Sequence, residues 1–451
     1  MKHSSRYLPS LMAAMLLAAL LTTPSCESGS KITPDDTTKT REDFTNPPLE
    51  TNPLVDFTKW EIRDGRFYLD GKWSFLKIAK PLVNYASESS CRQIMDNLDI
   101  YRSKYYNAIE MNCYWHFFDD DGDGTIDHSL EPLRALVDAI YAKGMFPCIG
   151  VETYSVGGGR IPDPFWEANP DAYAIDSNGH ATSDTEYGFG TKVVSIFHEG
   201  YREASRRFIA NLARGVDTKK VLWFETTVEP QYMGEYNLCY SDAAKRAYAE
   251  WRIANGISDA ASKMPEGFPI PQEFIENETW NKFRAQSLAD WVNGDAAAWR
   301  SVAGEKAYVA VDFLDANLLR NRCGDPVEFL RHLDCADVLQ VNWHWRSEQA
   351  APHNPPYEHI AQVKAETGKS WAVSEHMTIG GTSITAYGHI PQLLEHTLKV
   401  GTRLGWEFTN VRNTSNDKFA LYKDDWNPKY PMKDIDENWG YWLWRIGQDA
   451  D

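Results

Sequence analysis

Val221-Leu222-Trp223-Phe224-Glu225-Thr226-Thr227-Val228-Glu229-Pro230 is a short apolar run that closes on carboxylates. Its first six residues have the pattern of a strand covered on both faces. A helical stretch, Tyr201–Arg214, precedes it. The same alternation continues in both directions. Candidate strands are Ser74–Ala79, Ala108–Cys113, Phe146–Val151, Val221–Thr226, Ala307–Phe313, Val338–Asn342, Ser370–Ser374 and Arg403–Phe408. Helical segments such as Leu130–Lys143, Pro326–Leu333 and Ile390–Val400 fall between most of them. Eight parallel-type strands with intervening helices predict an α/β chain folded as a (β/α)8 TIM barrel.

The chain of 451 residues holds one such barrel with insertions. The Pro- and Glu-rich stretch 257–280 reads as an insertion before the fifth strand. Asp64-Gly65 and Asp70-Gly71 predict a hairpin ahead of the barrel. Trp439 to Trp444 predict a closing helix. No repeat and no second domain are evident, so residues 56–451 read as one catalytic domain.

The formal net charge of −18 excludes nucleic acid as a natural partner, because phosphate binding needs clustered Lys and Arg. Aromatic residues make up 13%, which suits stacking on sugar rings as well as core packing. Lys2, His3 and Arg6 precede an apolar run, Leu11 to Leu21, and then Thr22-Thr23-Pro24-Ser25-Cys26. This predicts residues 1–26 as a signal peptide ending in a lipoprotein cleavage box, with Thr23 where Leu is usual. Residues 27–55, rich in Ser, Thr, Pro and Asp, read as a disordered tether. The expectation is an exported bacterial lipoprotein that meets the membrane only through its lipid, in the periplasm, the outer membrane or at the cell surface. The other cysteines lack metal-ligand spacing and read mostly as buried thiols.

In such a barrel, function sits at the C-terminal ends of the strands. There the fourth strand offers Glu229 and the seventh Glu375. Glycoside hydrolysis with retention needs two carboxylates about 5–5.5 Å apart, one protonated and one ionised. Glu152 and Asp312 are the next carboxylates at strand ends, and Glu225 has the parity of an internal ion-pair partner. Metal-dependent hydrolysis would need several His and Asp in chelating geometry, and His is sparse at these ends.

Phe224, Glu225, Glu229 and Pro230 resemble the Phe-Glu-x-x-Asn-Glu-Pro acid/base motif of glycoside hydrolase clan A, above all family 5. Phe67 to Lys72, Glu375 and Trp406 resemble other clan features. Pro162 to Trp166, continued by Asp176 to Gly179, is similar to the third-strand loop of family 42-like members. The resemblance implies Glu229 as general acid/base and Glu375 as nucleophile in a double displacement on an extracellular poly- or oligosaccharide, with no cofactor needed for catalysis.

Val228 stands where the clan carries Asn, a ligand of the sugar 2-hydroxyl. Asn112 and Asn342 are candidate replacements. The departure also admits a second reading, a carbohydrate-binding lipoprotein on a barrel without turnover. Trp115, Trp343, Trp345 and Trp406 read as sugar platforms or rim packing, and His344 and His376 as substrate or structural hydrogen-bonders.

Asp119, Asp121, Asp123 and Asp127 take positions 1, 3, 5 and 9 of a calcium loop, with the Thr125 carbonyl at position 7. Position 12 is Leu130 instead of Glu. The motif reads as a structural calcium site or a solvated acidic turn.

Overall fold

The computed structural model describes residues 39–48, 59–154, 160–184, 191–233, 237–313, 318–344, 357–367, 373–377, 398, 403–409, 411–412, 420–429 and 432–448. The signal peptide and lipobox (1–26) lie outside them, as do Trp345 and most of the predicted helix Ile390–Val400. No helix among the described residues is long and apolar enough to cross a membrane.

Eight parallel strands close into a barrel in chain order. They are Leu76–Lys80, Ala108–Tyr114, Phe146–Glu152, Phe224–Thr227, Val309–Phe313, Val338–His344, Val373–Met377 and Gly405–Thr409. All eight predicted strands are present, and the last pairs with the first through Gly405 with Leu76. Helices follow the strands on the outside. Glu131–Ala142 buries Leu133, Leu136, Val137 and Ile140 along one face.

The predicted hairpin is a three-stranded antiparallel sheet, Trp60–Arg63, Arg66–Leu69 and Lys72–Ser74. Its turns place Asp64 and Gly65 at φ of 51° and 66°, the left-handed pairing that a two-residue turn requires. Phe67 meets Phe146 edge-on at 5.2 Å, and Trp60 lies 5.3 Å from Tyr308. With Ile78, Cys148, Ala310, Val338 and Leu404, these rings plug the N-terminal end of the barrel. Only the opposite end is left for chemistry.

The stretch read as an insertion runs into a 26-residue helix, Glu278–Ala303, which is absent from the helical segments expected above. The helix is buried around more than one face: Trp280, Phe283, Trp291 and Trp299 turn inward together with Asn281, Arg284 and Asp295. A helix covered on several sides loses the polar stripe that makes a period visible.

That helix carries a testable charge. Asp295 is fully buried, with the Arg206 Nε 3.8 Å away, beyond hydrogen-bond reach. Burial pushes its carboxyl up to about 7, against the pull of Arg206 and Arg202. The folded state therefore prefers the protonated form. Its stabilisation is complete below the unfolded value near 4 and is lost as pH rises through 7. Asp295→Asn is expected to raise the unfolding free energy at pH 8, by up to about 4 kcal/mol for a carboxyl moved from near 4 to about 7. The gain should vanish near pH 4. Denaturant unfolding at both pH values checks this, and an equal effect at both would refute it.

Part of the predicted tether is folded. Arg41 pairs with Asp434, Phe44 stacks on Trp444 at 4.6 Å, and the Asn46 amide donates to the Asp436 carbonyl at 2.8 Å. Asn46 Oδ1 in turn accepts the Gly440 N–H. Residues 40–48 thus belong with the closing helices Met432–Glu437 and Trp439–Gly447. One ring and a few polar contacts hold this segment, so it has no apolar period to read.

On the outer face of strand one, Lys77 is fully buried. Its ammonium donates to Asp436 Oδ1 at 2.9 Å and to the Lys104 carbonyl at 2.7 Å. The rings of Tyr106 and Trp439 cover it.

Candidate active site

The middle of the barrel is polar. Strands two, four, six and eight contribute Glu110, Glu225, Gln340 and Glu407, all fully buried. Alternate strands normally fill such a layer with Val, Ile and Leu. Here Lys80 of strand one reaches in, with its ammonium 2.9 Å from Glu110, 3.0 Å from Glu225 and 3.4 Å from Glu407. Gln340 donates to Glu407 at 3.0 Å, and the Trp223 indole N–H to Glu110 at 2.9 Å.

Three carboxyls share one ammonium, and they do not titrate alike. Burial opposes the charge on Glu110, but the Lys80 ammonium and hydrogen bonds from Glu225, Lys80 and Glu407 overcome it and hold this carboxyl at about 2. Burial, and then the charge of Glu110, push Glu225 well above the usual carboxylate range. The layer is thus an ion pair with a protonated neighbour. Glu225 takes the internal role that its parity indicated.

The layer above comes from the odd strands. Asp312 pairs with Gln340, Gln340 with Val373, and Glu375 with both Asn342 and Glu407. With a stagger of about one residue per strand in a barrel of eight strands and shear eight, Lys80, Gly150, Asp312 and Glu375 hold equivalent positions. Glu375 therefore belongs to the strand itself, within Val373–Met377, one layer above Glu110, Glu225, Gln340 and Glu407.

Glu229 follows strand four by two residues. It is 5% exposed and has a φ of 49°. Its backbone N–H donates to Asp312 Oδ1 at 2.8 Å. Beside it, Glu152 Oε1 accepts from the Tyr154 N–H at 2.7 Å and from the Thr227 hydroxyl at 3.4 Å. The fourth-strand exit is thus tied to strand five through Asp312. Val228 is buried in the main hydrophobic cluster.

Asn112 is buried inside the barrel, near Gly150 and Glu225. Asn342, Trp343 and His344 lie on strand six, level with Glu375, His376 and Met377. Their side chains, and that of Glu375, lie outside the described residues. Two predicted platforms are corrected. Trp406 is the second residue of strand eight, and Glu407 has the inward parity, so Trp406 faces outward among Phe75, Trp439 and Trp442. Trp115 opens the 3-10 turn Trp115–Phe117 just after strand two and is fully buried against Phe165, Tyr201 and Phe208. Neither presents a face to a ligand.

Trp115 instead ties down the acidic loop through its indole N–H, 2.6 Å from Asp119 Oδ2. Asp119 also accepts the N–H groups of Asp121, Gly122 and Gly124. Oxygens of Asp119, Asp121 and Asp127 lie within 4.8 Å of one another. The Asp123 carboxylate accepts the Thr125 N–H at 2.6 Å.

Sequence reasoning missed Lys80, Glu110, Gln340 and Glu407. The available signal was a single polar residue flanked by apolar ones inside a buried strand, as in Ile109-Glu110-Met111, Leu339-Gln340-Val341 and Trp406-Glu407-Phe408.

The sequence matches no family model and no curated protein. Solved structures do match. The catalytic domain of β-amylase from Paenibacillus polymyxa aligns over 81% of this chain and 97% of its own, with a TM-score of 0.57 and 14% identity. A GH42 β-galactosidase from G. stearothermophilus aligns with a TM-score of 0.59 and 13% identity, over 83% of this chain. An exo-β-1,4-mannosidase from Opitutaceae bacterium strain TAV5 aligns with a TM-score of 0.53 and 13% identity, over 87%. The chain spans 57% of that galactosidase and 63% of that mannosidase. At these identities the likeness is one of fold, and the chain carries a (β/α)8 barrel of the kind found in these glycosidases.

Proposed function

We propose that the protein is an exported, lipid-anchored retaining glycoside hydrolase. Glu229 is its general acid/base and Glu375 its nucleophile. The observation that supports this reading is the pair of carboxylate positions at the C-terminal end of a glycosidase-type barrel, Glu229 just after strand four and Glu375 within strand seven. Glu229 gives its proton to the leaving oxygen as Glu375 bonds to the anomeric carbon. Glu229 then takes a proton from the water that releases the sugar. The substrate is an extracellular poly- or oligosaccharide.

The test is hydrolysis of galactose, glucose and mannose aryl glycosides, and of polysaccharides, by the chain lacking residues 1–26. Turnover with retained anomeric configuration supports the reading. Inversion would reject Glu375 as nucleophile. Sugar binding without turnover would favour a non-catalytic binding protein, which the buried Val228 in place of the clan's Asn would then explain.

Calcium at the Asp119–Asp127 loop is part of the same proposal, as a structural ion that rigidifies the loop after strand two. Saturating calcium is expected to raise the unfolding temperature over that in chelator, and Asp121→Asn to abolish the difference. Equal temperatures with and without calcium would remove the ion.

A further inference from the structure

We infer that Asp312 is a positioning residue that aims the carboxyl of Glu229, an inference that rests on the glycosidase reading above. Glu229 is held at a φ of 49°, where a residue with a Cβ is disfavoured by about 1–2 kcal/mol. Pro230 follows it and disfavours compact backbone at the preceding residue. Such a conformation persists only where its surroundings impose it. The contact positioned to do so is the 2.8 Å bond from the Glu229 N–H to Asp312 Oδ1. A carboxylate accepting a backbone N–H out of water is a strong, directional partner.

Asp312 is itself well fixed. It lies within strand five, between the core residues Val311 and Phe313, in register with Gln340. The direction in which Cβ leaves the Glu229 backbone is thus set from the neighbouring strand. Asp312 also shares its layer with the position of Glu375. Asp312 therefore fixes the Glu229 backbone to the barrel sheet that also carries Glu375, and a misaimed acid loses efficiency even when its pKa is right.

The consequence is specific to proton transfer. In the first step the glycosidic C–O bond breaks, its electron pair goes to the leaving oxygen, and the proton of Glu229 follows. A dinitrophenolate leaves without that proton, whereas a phenolate needs it. The experiment compares kcat/KM for phenyl and 2,4-dinitrophenyl glycosides of the sugar that the wild-type chain hydrolyses. Asp312→Ala is expected to lose about 10- to 100-fold on the phenyl glycoside and less than about threefold on the dinitrophenyl one. Asp312→Asn, whose amide oxygen still accepts the N–H, should stay within about threefold of wild type on both. Circular dichroism checks folding, and Asp312→Ser substitutes for the alanine variant if that one does not fold. Equal losses on the two leaving groups, with Glu229→Gln still defective, would overturn the positioning role alone. A wild-type chain inactive on every sugar would overturn the glycosidase reading and this inference together.

Discussion

Replacing Lys80 by methionine is expected to destabilise the protein by about 3–5 kcal/mol, the cost of stripping one partner from a buried ion pair. The Lys80 ammonium stands within 3.4 Å of three carboxyls that water does not reach. Methionine matches its length and leaves no large cavity, so the loss reports charge and not volume. The sign with pH follows from Glu110, which Lys80 holds at about 2, below its usual value of 4.5. A depressed carboxylate contributes stability above its unfolded pKa and loses it as pH falls toward the folded one. The wild-type advantage should therefore be full at pH 7 and shrink between about pH 4.5 and 2. Urea titrations of both proteins at pH 7 and pH 3.5 measure it. A difference below 1 kcal/mol at pH 7 would mean that the layer does not depend on its cation.

Glu229→Gln is expected to lower turnover of unactivated substrates by about 10²- to 10⁴-fold, the usual contribution of a general acid/base. Glu375→Gln should lose at least as much, because no covalent intermediate forms without the carboxylate. Azide separates the two roles. In Glu229→Ala the small anion can enter where the carboxylate stood and attack the anomeric carbon as the Glu375 carboxylate departs, giving a glycosyl azide of retained configuration. In Glu375→Ala it attacks once, opposite the leaving oxygen, and the product is inverted. Nuclear magnetic resonance of the products distinguishes these outcomes. The same configuration from both variants would show that the roles are misassigned.

The architecture was legible because barrel strands buried on both faces read as apolar runs, and the runs ended where the strands end to within a few residues. The polar interior was harder to read. Glu225 stood out through its parity, but Glu110 and Glu407 are single carboxylates in otherwise apolar strands, and only the closed sheet brings them to Lys80. Trp406 and Trp115 misled for the opposite reason. An aromatic residue near a strand end reads as a platform, yet strand parity sends Trp406 outward and Trp115 packs under Phe165, Tyr201 and Phe208. The contact of Asp312 with Glu229 joins residues 83 positions apart and depends on a backbone angle that no local pattern announces.

The burial of Lys77 bears on the order of events during synthesis. Its counter-ion, Asp436, lies 359 residues further along, and the strand that covers one side of strand one, Gly405–Thr409, is the last of the eight. Until the ribosome has delivered both, strand one exposes an unpaired edge and an ammonium whose native pocket does not yet exist. A polypeptide wired in this way does not complete its fold from the N-terminus onward. It stays open until nearly the whole length has emerged. Premature stops before Asp436 should accordingly yield aggregates or degraded chains, and not a shorter, working barrel.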